Sequence, residues 1–495
     1  MGVGAVKRAP ASGQGRAASN PGTEARRRGS ARPASGARSG RGKRTESERP
    51  ADLVRQALAE VLTMRMPADA VLRRFFRDHP AMGRRDRGEL ADTVFDVLRN
   101  RRLYAHFAQA GDGPLEDRLV RLAQSRRFAP IGSPVPARDR KPGAHGETGS
   151  PAQPPAQPEW LARLAATDVS ALPAPVALSL PDWLYDKLQA RFGEAEARAL
   201  GLAMLVPAAL QLRANALKTS PDALVDRLGA EGIEARLFES VPGAIQLAGH
   251  PALERSAAFA DGAFEVQDAG SQLLALLVGA RRGQKVIDLC AGAGGKTLAL
   301  AAAMNSLGQV FACDVSISRL QRLRPRLTRS GATNVQPFAI DSLADPKLER
   351  LAGRADAVLV DAPCTGTGTL RRNPDLKWRF GPDDLLRLRD EQQAILRAAA
   401  RLVTPGGVLV YATCSLLAEE NEHQAEWFER LHPEFVREDA AGVLTAAGAR
   451  LPADAFRGGA LACLPHRHGT DAFFGVRWRR PKPGSKQGAV AGTSG

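Results

Sequence analysis

Residues 285–297 read KVIDLCAGAGGKT, a short apolar run that closes on Asp288 and opens into Gly292, Gly294 and Gly295 before a helix-forming stretch begins at Lys296. A strand that enters a helix through glycines lets backbone N–H groups approach a ligand closely, and the helix start favours the ligand's anionic part. Three ligand classes compete for such a turn: a dinucleotide, a nucleoside triphosphate and S-adenosylmethionine. The dinucleotide spacing GxGxxG is absent, because Gly292-Ala293-Gly294 is followed at once by Gly295. The phosphate loop GxxxxGK[ST] fails by one residue, since Cys290 stands where its first glycine belongs. A nucleoside without a phosphate chain fits better than the triphosphate of an ATPase.

Outward from this turn, strands and helices alternate: QVFACD (309–314), a helix from Ser316, VQPFAID (335–341), DAVLVDAP (356–363), a helix through 383–403 and GGVLVYATCS (406–415). The alternation predicts an α/β fold with a doubly wound, Rossmann-like parallel sheet and ligands outside the carboxyl ends of its strands. Asp314 closes the second strand about 20 residues beyond the glycine turn, where an acid can accept hydrogen bonds from ribose hydroxyls. Asp341 closes the third and can address an adenine amine. Asp288 can support the loop or meet a cofactor ammonium. Each acid taken singly is more often a cap or a surface group; three in succession favour a nucleoside.

The fourth strand runs into DAPCTGTGTLRRNPDLKW (361–378) and the fifth into YATCSLLAEENE (411–422). Both ends point into one crevice, so Cys364 and Cys414 can face one substrate although they are far apart in the chain. Beside a methyl donor, two thiols have a chemical rationale. Carbon 5 of a pyrimidine is a poor nucleophile, but a thiolate added to carbon 6 makes it electron-rich enough to take a methyl group from a sulfonium. A thiol of ordinary pKa, about 8.5, is only slightly ionised at neutral pH and needs local help. Asp361 is placed to hydrogen-bond the ring edge or the cofactor. Arg371, Arg372, Lys377 and Arg379 can hold phosphates.

Together DLCAGAGGKT, CDVSISRL, VDAPCTGTGTLRRNPDLKW and YATCSLLAEENE resemble the Sun/Nop family of RNA cytosine-5 methyltransferases, in particular its bacterial Fmu/RsmB branch that modifies small-subunit ribosomal RNA. FEVQDAGSQL and LPHRHGTDAFFGVRW extend the likeness to roughly residues 180 to 480. The resemblance implies a class I methyltransferase sheet, S-adenosylmethionine as cofactor and RNA, above all ribosomal RNA, as partner. It implies that Cys414 is the nucleophile and that Cys364 assists release, an order the residues alone leave open. It also implies cofactor contacts by Cys290, Ala291, Gly292, Ala293, Gly294, Gly295, Lys296, Asp314, Asp341 and Asp361. The loop departs from the family's usual CAAPGGK, with Gly292 and Ala293 where Ala and Pro are typical. A transfer RNA methyltransferase and a non-catalytic RNA-binding assembly factor are the alternatives; intact thiols in both motifs argue against the second.

The rest of the chain divides by composition. Of 495 residues, 44% are hydrophobic and 25% charged, an ordinary globular balance for a chain long enough for several domains. The net charge of +16 suits a polyanionic partner. Residues 1–50 hold twelve Lys/Arg against three Asp/Glu with almost no large apolar residue, and are expected to form a disordered basic arm. Residues 51–125 carry helical stripes (Leu53, Val54, Ala57, Leu58, Val61, Leu62; then Leu90, Val94, Phe95, Val97, Leu98) and resemble a shortened NusB-like RNA-binding module. Residues 126–160, with eight prolines, read as a linker. Residues 161–265 read as an α+β module that the family likeness makes RNA-recognition-like, 266–480 as the methyltransferase domain and 481–495 as a disordered tail.

No apolar stretch is long enough to span a bilayer and no signal sequence opens the chain, so a cytoplasmic protein is expected, without an evident obligate protein partner. The five cysteines are odd in number and form no CxxC pair, which fits neither a disulfide framework nor a zinc site. Cys313 reads as a buried small hydrophobe and Arg319 as a salt-bridge partner or a substrate contact. Cys463, His466 and His468 lack an evident fourth ligand, so no metal is assigned.

Overall fold

A computed structural model describes residues 50–125, 160–161 and 167–484. Apart from residues at their edges, the expected basic arm, Pro-rich linker and terminal tail lie outside the described residues. Among the described residues, no helix is long and apolar enough to cross a membrane.

The chain first forms four helices, α1 (Pro50–Leu62), α2 (Ala68–Asp78), α3 (Arg84–Ala108) and α4 (Leu115–Gln124). Their stripes meet as the spacing requires: Val54, Ala57, Leu58 and Val61 of α1 pack with Leu90, Val94, Val97 and Leu98 of α3 in one buried cluster. A four-stranded antiparallel sheet follows, made of β1 (Gln211–Ala214), β2 (Ala235–Leu237), β3 (Ala244–Leu247) and β4 (Phe264–Val266) in the order β2-β3-β1-β4. The helix Pro221–Ala230 joins β1 to β2, started by Ser220, whose hydroxyl accepts from the Ala223 amide, and by Pro221 at its first turn. β4 runs across the expected domain boundary at 265/266, since Phe264 and Val266 pair with Ala214 and Leu212 of β1. Three residues are too few to display strand alternation in sequence, and only pairing reveals this strand.

The large sheet contains β5 (Lys285–Asp288), β6 (Gln309–Asp314), β7 (Val335–Ala339), β8 (Ala355–Asp361) and β9 (Val403–Thr413), all parallel, in the order β7-β6-β5-β8-β9. Here the expectation of a parallel sheet needs correction, because the sheet is mixed. β13 (Phe473–Arg479) lies antiparallel to β9 and is followed outward by β12 (Ala460–Cys463) and β11 (Phe456–Arg457), while β10 (Val436–Glu438) also pairs with β13. The segment 464–472 between β12 and β13 is too short for a parallel crossover, which takes a dozen or more residues. The order of connection reverses between β5 and β8, so the crevice at that switch point lies beside Asp288 and Asp361. Separate apolar clusters, around Val358, Tyr411 and Trp478 and around Leu273, Val410 and Leu461, build the core.

Candidate active site

At the end of β5 the chain bends through Gly292 (φ +56°) and Gly294 (φ +82°), backbone states that an L side chain adopts at a cost. A Cβ at Gly294 would also stand 2.1 Å from Leu323 Cδ1, so any side chain there must displace Leu323. The loop is tied to the next strand by Asp314, whose carboxylate accepts from the Gly292 amide (2.8 Å) and the Ser316 amide (2.7 Å). Each of its oxygens keeps a second lone pair for a ligand. A tie from farther away holds Ala293, whose carbonyl accepts from Arg326 Nη1 at 2.6 Å. Arg326 is itself gripped through Nε (2.9 Å) and Nη2 (2.7 Å) by Glu265, a buried residue of β4. The antiparallel module thus buttresses the glycine loop.

Beneath the loop, Asp288 is buried. Its Oδ2 accepts from Thr297 Oγ1 at 2.7 Å, while Oδ1 has no hydrogen-bond partner among the described residues. Burial pushes this carboxyl up to about 7 against the opposing hydrogen bond from Thr297. A buried carboxylate oxygen lacking a donor is a seat for a cationic group such as an ammonium, so the loop fits an aminoacyl nucleoside cofactor. Lys296, on the helix Gly295–Ala303, donates to Asp361 Oδ2 at 2.7 Å. Burial opposes its charge, yet the Asp361 carboxylate outweighs burial and raises its pKa. Asp341 is exposed two residues past β7, with its amide donating to Asp345 Oδ2 at 2.9 Å.

The two thiols meet. β8 and β9 are hydrogen-bonded neighbours, and just beyond their ends Cys364 Sγ and Cys414 Sγ lie 3.4 Å apart. The hydrogen bond with Cys414 and burial both push the Cys364 thiol up, with further repulsion from the Glu420 carboxylate. Glu420 is fully buried between the two loops. Its carboxylate accepts from the Thr365 amide (2.8 Å), from the hydroxyls of Thr365 and Ser415, and from Gln392 Nε2 (3.1 Å). Thr367 Oγ1 adds a tie by accepting from the Leu416 amide at 2.8 Å. Burial raises the Glu420 pKa against those hydrogen bonds. The motif LLAEENE contains this residue, but nothing in its spacing distinguishes Glu420 from Glu419 or Glu422, which pair with Lys187 and Arg191.

Three of the four side chains expected at phosphates have internal partners instead. Arg372 is bound to Asp471 (2.6 Å) and Asp268 (2.7 Å), Arg379 pairs with Asp375 (3.4 Å), and Lys377 is buried against the Arg99 carbonyl (2.6 Å). The fourth, Arg371, is half-buried and its carbonyl accepts from Arg99. A basic loop reads as a phosphate site only while the acids and carbonyls that fold onto it are unseen. Cys313 is buried as expected, and the exposed Arg319 stands 3.9 Å from Oδ2 of the buried Asp314. Cys290 is partly buried against the core, and burial raises its pKa. His466 bonds Glu196 (2.8 Å), and His468 accepts from the Leu464 amide (2.8 Å), which accounts for both as joints in the fold.

Comparison with known proteins agrees with this architecture. A family model described as 16S rRNA methyltransferase RsmB/F matches residues 275–479, and a model of the ferredoxin-like domain of RsmF/B-like methyltransferases matches residues 180–254. A Synechocystis protein named "probable ribosomal RNA small subunit methyltransferase B" is 36% identical over 297 residues, 60% of this chain and 66% of that protein. Ribosomal RNA small subunit methyltransferase B of Xylella fastidiosa is 35% identical over 301 residues, 60% of this chain and 68% of its own length. In several further relatives the match spans about two thirds of their length. Among solved structures, the protein PH0851 superposes with a TM-score of 0.66 at 24% identity, covering 87% of this chain and 99% of that one, a likeness of fold.

Proposed function

Because the chain belongs to the RsmB/F family of 16S rRNA methyltransferases, we propose that it transfers a methyl group from S-adenosylmethionine to carbon 5 of a cytosine in ribosomal RNA. The observation that carries this reading is the 3.4 Å approach of Cys364 and Cys414 just beyond the carboxyl ends of β8 and β9. In this reading, residues Cys290 to Lys296 with Asp314, Asp341 and Asp361 hold the cofactor, and the unpartnered Asp288 oxygen receives its ammonium. Bound there, S-adenosylmethionine supplies an electrophilic methyl group.

The chain's own residues activate the base. Cys414 bonds as thiolate to carbon 6 of cytosine, and the displaced ring electrons make carbon 5 nucleophilic enough to accept the methyl group. The carbon 5 proton is then lost to a base, its electron pair restores the ring double bond, and the carbon–sulfur bond breaks to return Cys414 as thiolate. In this reading Cys414 is the nucleophile and Cys364, 3.4 Å away, is the neighbour that assists release.

Two measurements test the proposal. Cys364→Ala should accumulate a covalent RNA–protein adduct on denaturing gels, whereas Cys414→Ala should form none. Bisulfite sequencing of total RNA from cells with and without the gene should show a missing 5-methylcytosine in small-subunit ribosomal RNA. A missing mark in transfer RNA would redirect the substrate, and an unchanged pattern would leave an RNA-binding role without catalysis.

A further inference from the structure

α3 is broken at Asn100, where φ −107° and ψ 16° interrupt the helix. The amide of Arg102, which an unbroken helix would direct at the Leu98 carbonyl, donates to Ser179 Oγ at 2.9 Å. Ser179 is buried and sits at φ +49°, a left-handed state that is strained for serine. On the other side of the break, the segment that follows Cys364 takes up the carbonyls. Trp378 Nε1 donates to Leu98 O at 2.8 Å and Lys377 Nζ to Arg99 O at 2.6 Å. Arg99 returns a hydrogen bond to the Arg371 carbonyl (3.1 Å), and Asp375 accepts from the Ala68 amide at the start of α2 (3.3 Å).

A buried lysine is a costly way to fill space. Burial and the adjacent Arg99 hold the Lys377 pKa well below its ordinary value, and leucine or methionine would pack there without that penalty. What lysine adds is a directed donor. From Lys377 back toward Cys364 the chain is a run of hydrogen-bonded turns: Leu376 N to Asn373 O (3.2 Å), Asn373 N to Thr369 O (2.9 Å) and Thr369 N to Gly366 O (2.9 Å). Within it, Gly368 N donates to the Cys414 carbonyl at 2.9 Å while the Gly368 carbonyl accepts from Ala472 N at 3.0 Å. There is no slack at that point, since a Cβ on Gly368 would lie 2.4 Å from Ala472 O and 2.8 Å from Cys414 O.

We propose that the break in α3 is a socket that holds residues 365–380 in the arrangement bringing Cys364 to Cys414, which makes the helical module part of the methyl-transfer machinery. Lys377, Trp378 and Ser179 are its positioning residues. The inference rests on the reading that the two thiols act together on cytosine.

The test uses the full chain and compares Lys377→Met, Trp378→Phe and Ser179→Ala, the last lying outside the thiol loop altogether. Each variant should slow single-turnover methyl transfer to bound RNA about tenfold or more, as misplaced reacting groups do, with RNA affinity unchanged. The Lys377→Met/Ser179→Ala double variant should be no slower than the slower single, because both open one element. Hydrogen–deuterium exchange should rise at residues 365–380 in all three while β8 stays protected. Trp378→Phe removes a single hydrogen bond and keeps the test available if the lysine variant does not fold. Unchanged transfer rates, additive losses, or a fall in RNA affinity with normal transfer would each overturn the socket. If wild-type protein forms no adduct and no 5-methylcytosine, the proposed function fails, while the exchange measurement still decides whether α3 holds the loop.

Discussion

The glycine loop 290–296 and the thiol loops after β8 and β9 occupy the same edge of one sheet, and they are built in different ways. In the glycine loop most of the geometry is local. Gly292 and Gly294 take backbone states natural to glycine, and Asp314 at the end of the adjacent strand anchors the bend. Cys364 and Cys414 are instead brought together by long-range bonds: Glu420 joins Thr365 and Ser415, and Gly368 is pinned between Cys414 and Ala472. In a loop of the first kind the backbone states are set by its own residues, whereas one of the second kind exists only when the whole domain has closed.

That contrast predicts an order of effects. Glu420→Ala should be the most damaging, since it leaves the Thr365 amide and several hydroxyl and amide donors unsatisfied in the interior. A loss of about 3–5 kcal/mol in urea unfolding is expected. Glu419→Ala, which breaks only a part-exposed pair with Lys187, should cost about 1 kcal/mol or less. Equal losses would mean that Glu420 is no hub.

Asp288 tests the other loop through pH. Its folded-state pKa of about 7 lies above the ordinary 3.8, so its stabilising contribution is complete below the ordinary value and is lost as pH rises through about 7. Up to about 4 kcal/mol of pH-dependence is at stake, and Asp288→Asn should flatten the urea midpoint between about pH 4 and 7. A profile as steep as that of the wild type would show that burial does not raise this carboxyl.

Smaller effects separate the two glycines. Gly294→Ala must adopt a left-handed backbone and displace Leu323, costing about 2–3 kcal/mol in stability or cofactor binding by calorimetry. Gly292→Ala meets open space and should cost only about 1 kcal/mol for its backbone. Arg326→Met, which removes the remote tie to Ala293 together with the hydrogen bonds to Glu265, should weaken cofactor binding by about 1 kcal/mol. An Arg326→Met loss exceeding that of Gly294→Ala would reverse the view that this loop is held chiefly from within.

These two constructions also explain which residues could be read in advance. The glycine turn, the acids at the strand ends and the parallel strands β5 to β9 follow from local backbone preference and hydrophobic period, both carried by neighbouring residues. Their shared crevice follows from connection order, so the meeting of Cys364 and Cys414 could be expected from motifs alone. The roles of Glu420 and Lys377 could not. Glu420 stands among three carboxylates of identical chemistry, and only the arrival of Thr365 and Gln392 selects it as the buried one. Lys377 reads as a phosphate ligand until the break in α3 presents a carbonyl to it.

Sequence alone determined the strand-and-helix alternation, the glycine turn and the convergence of the two thiols, because each depends on residues close along the chain or on the order of connection. Tertiary structure decided the antiparallel edge of the sheet, the buried carboxylate between the thiol loops and the docking of α3 on the segment after Cys364. Those features depend on hydrogen bonds between distant residues, whose burial and partners come into being only when the chain has folded back on itself.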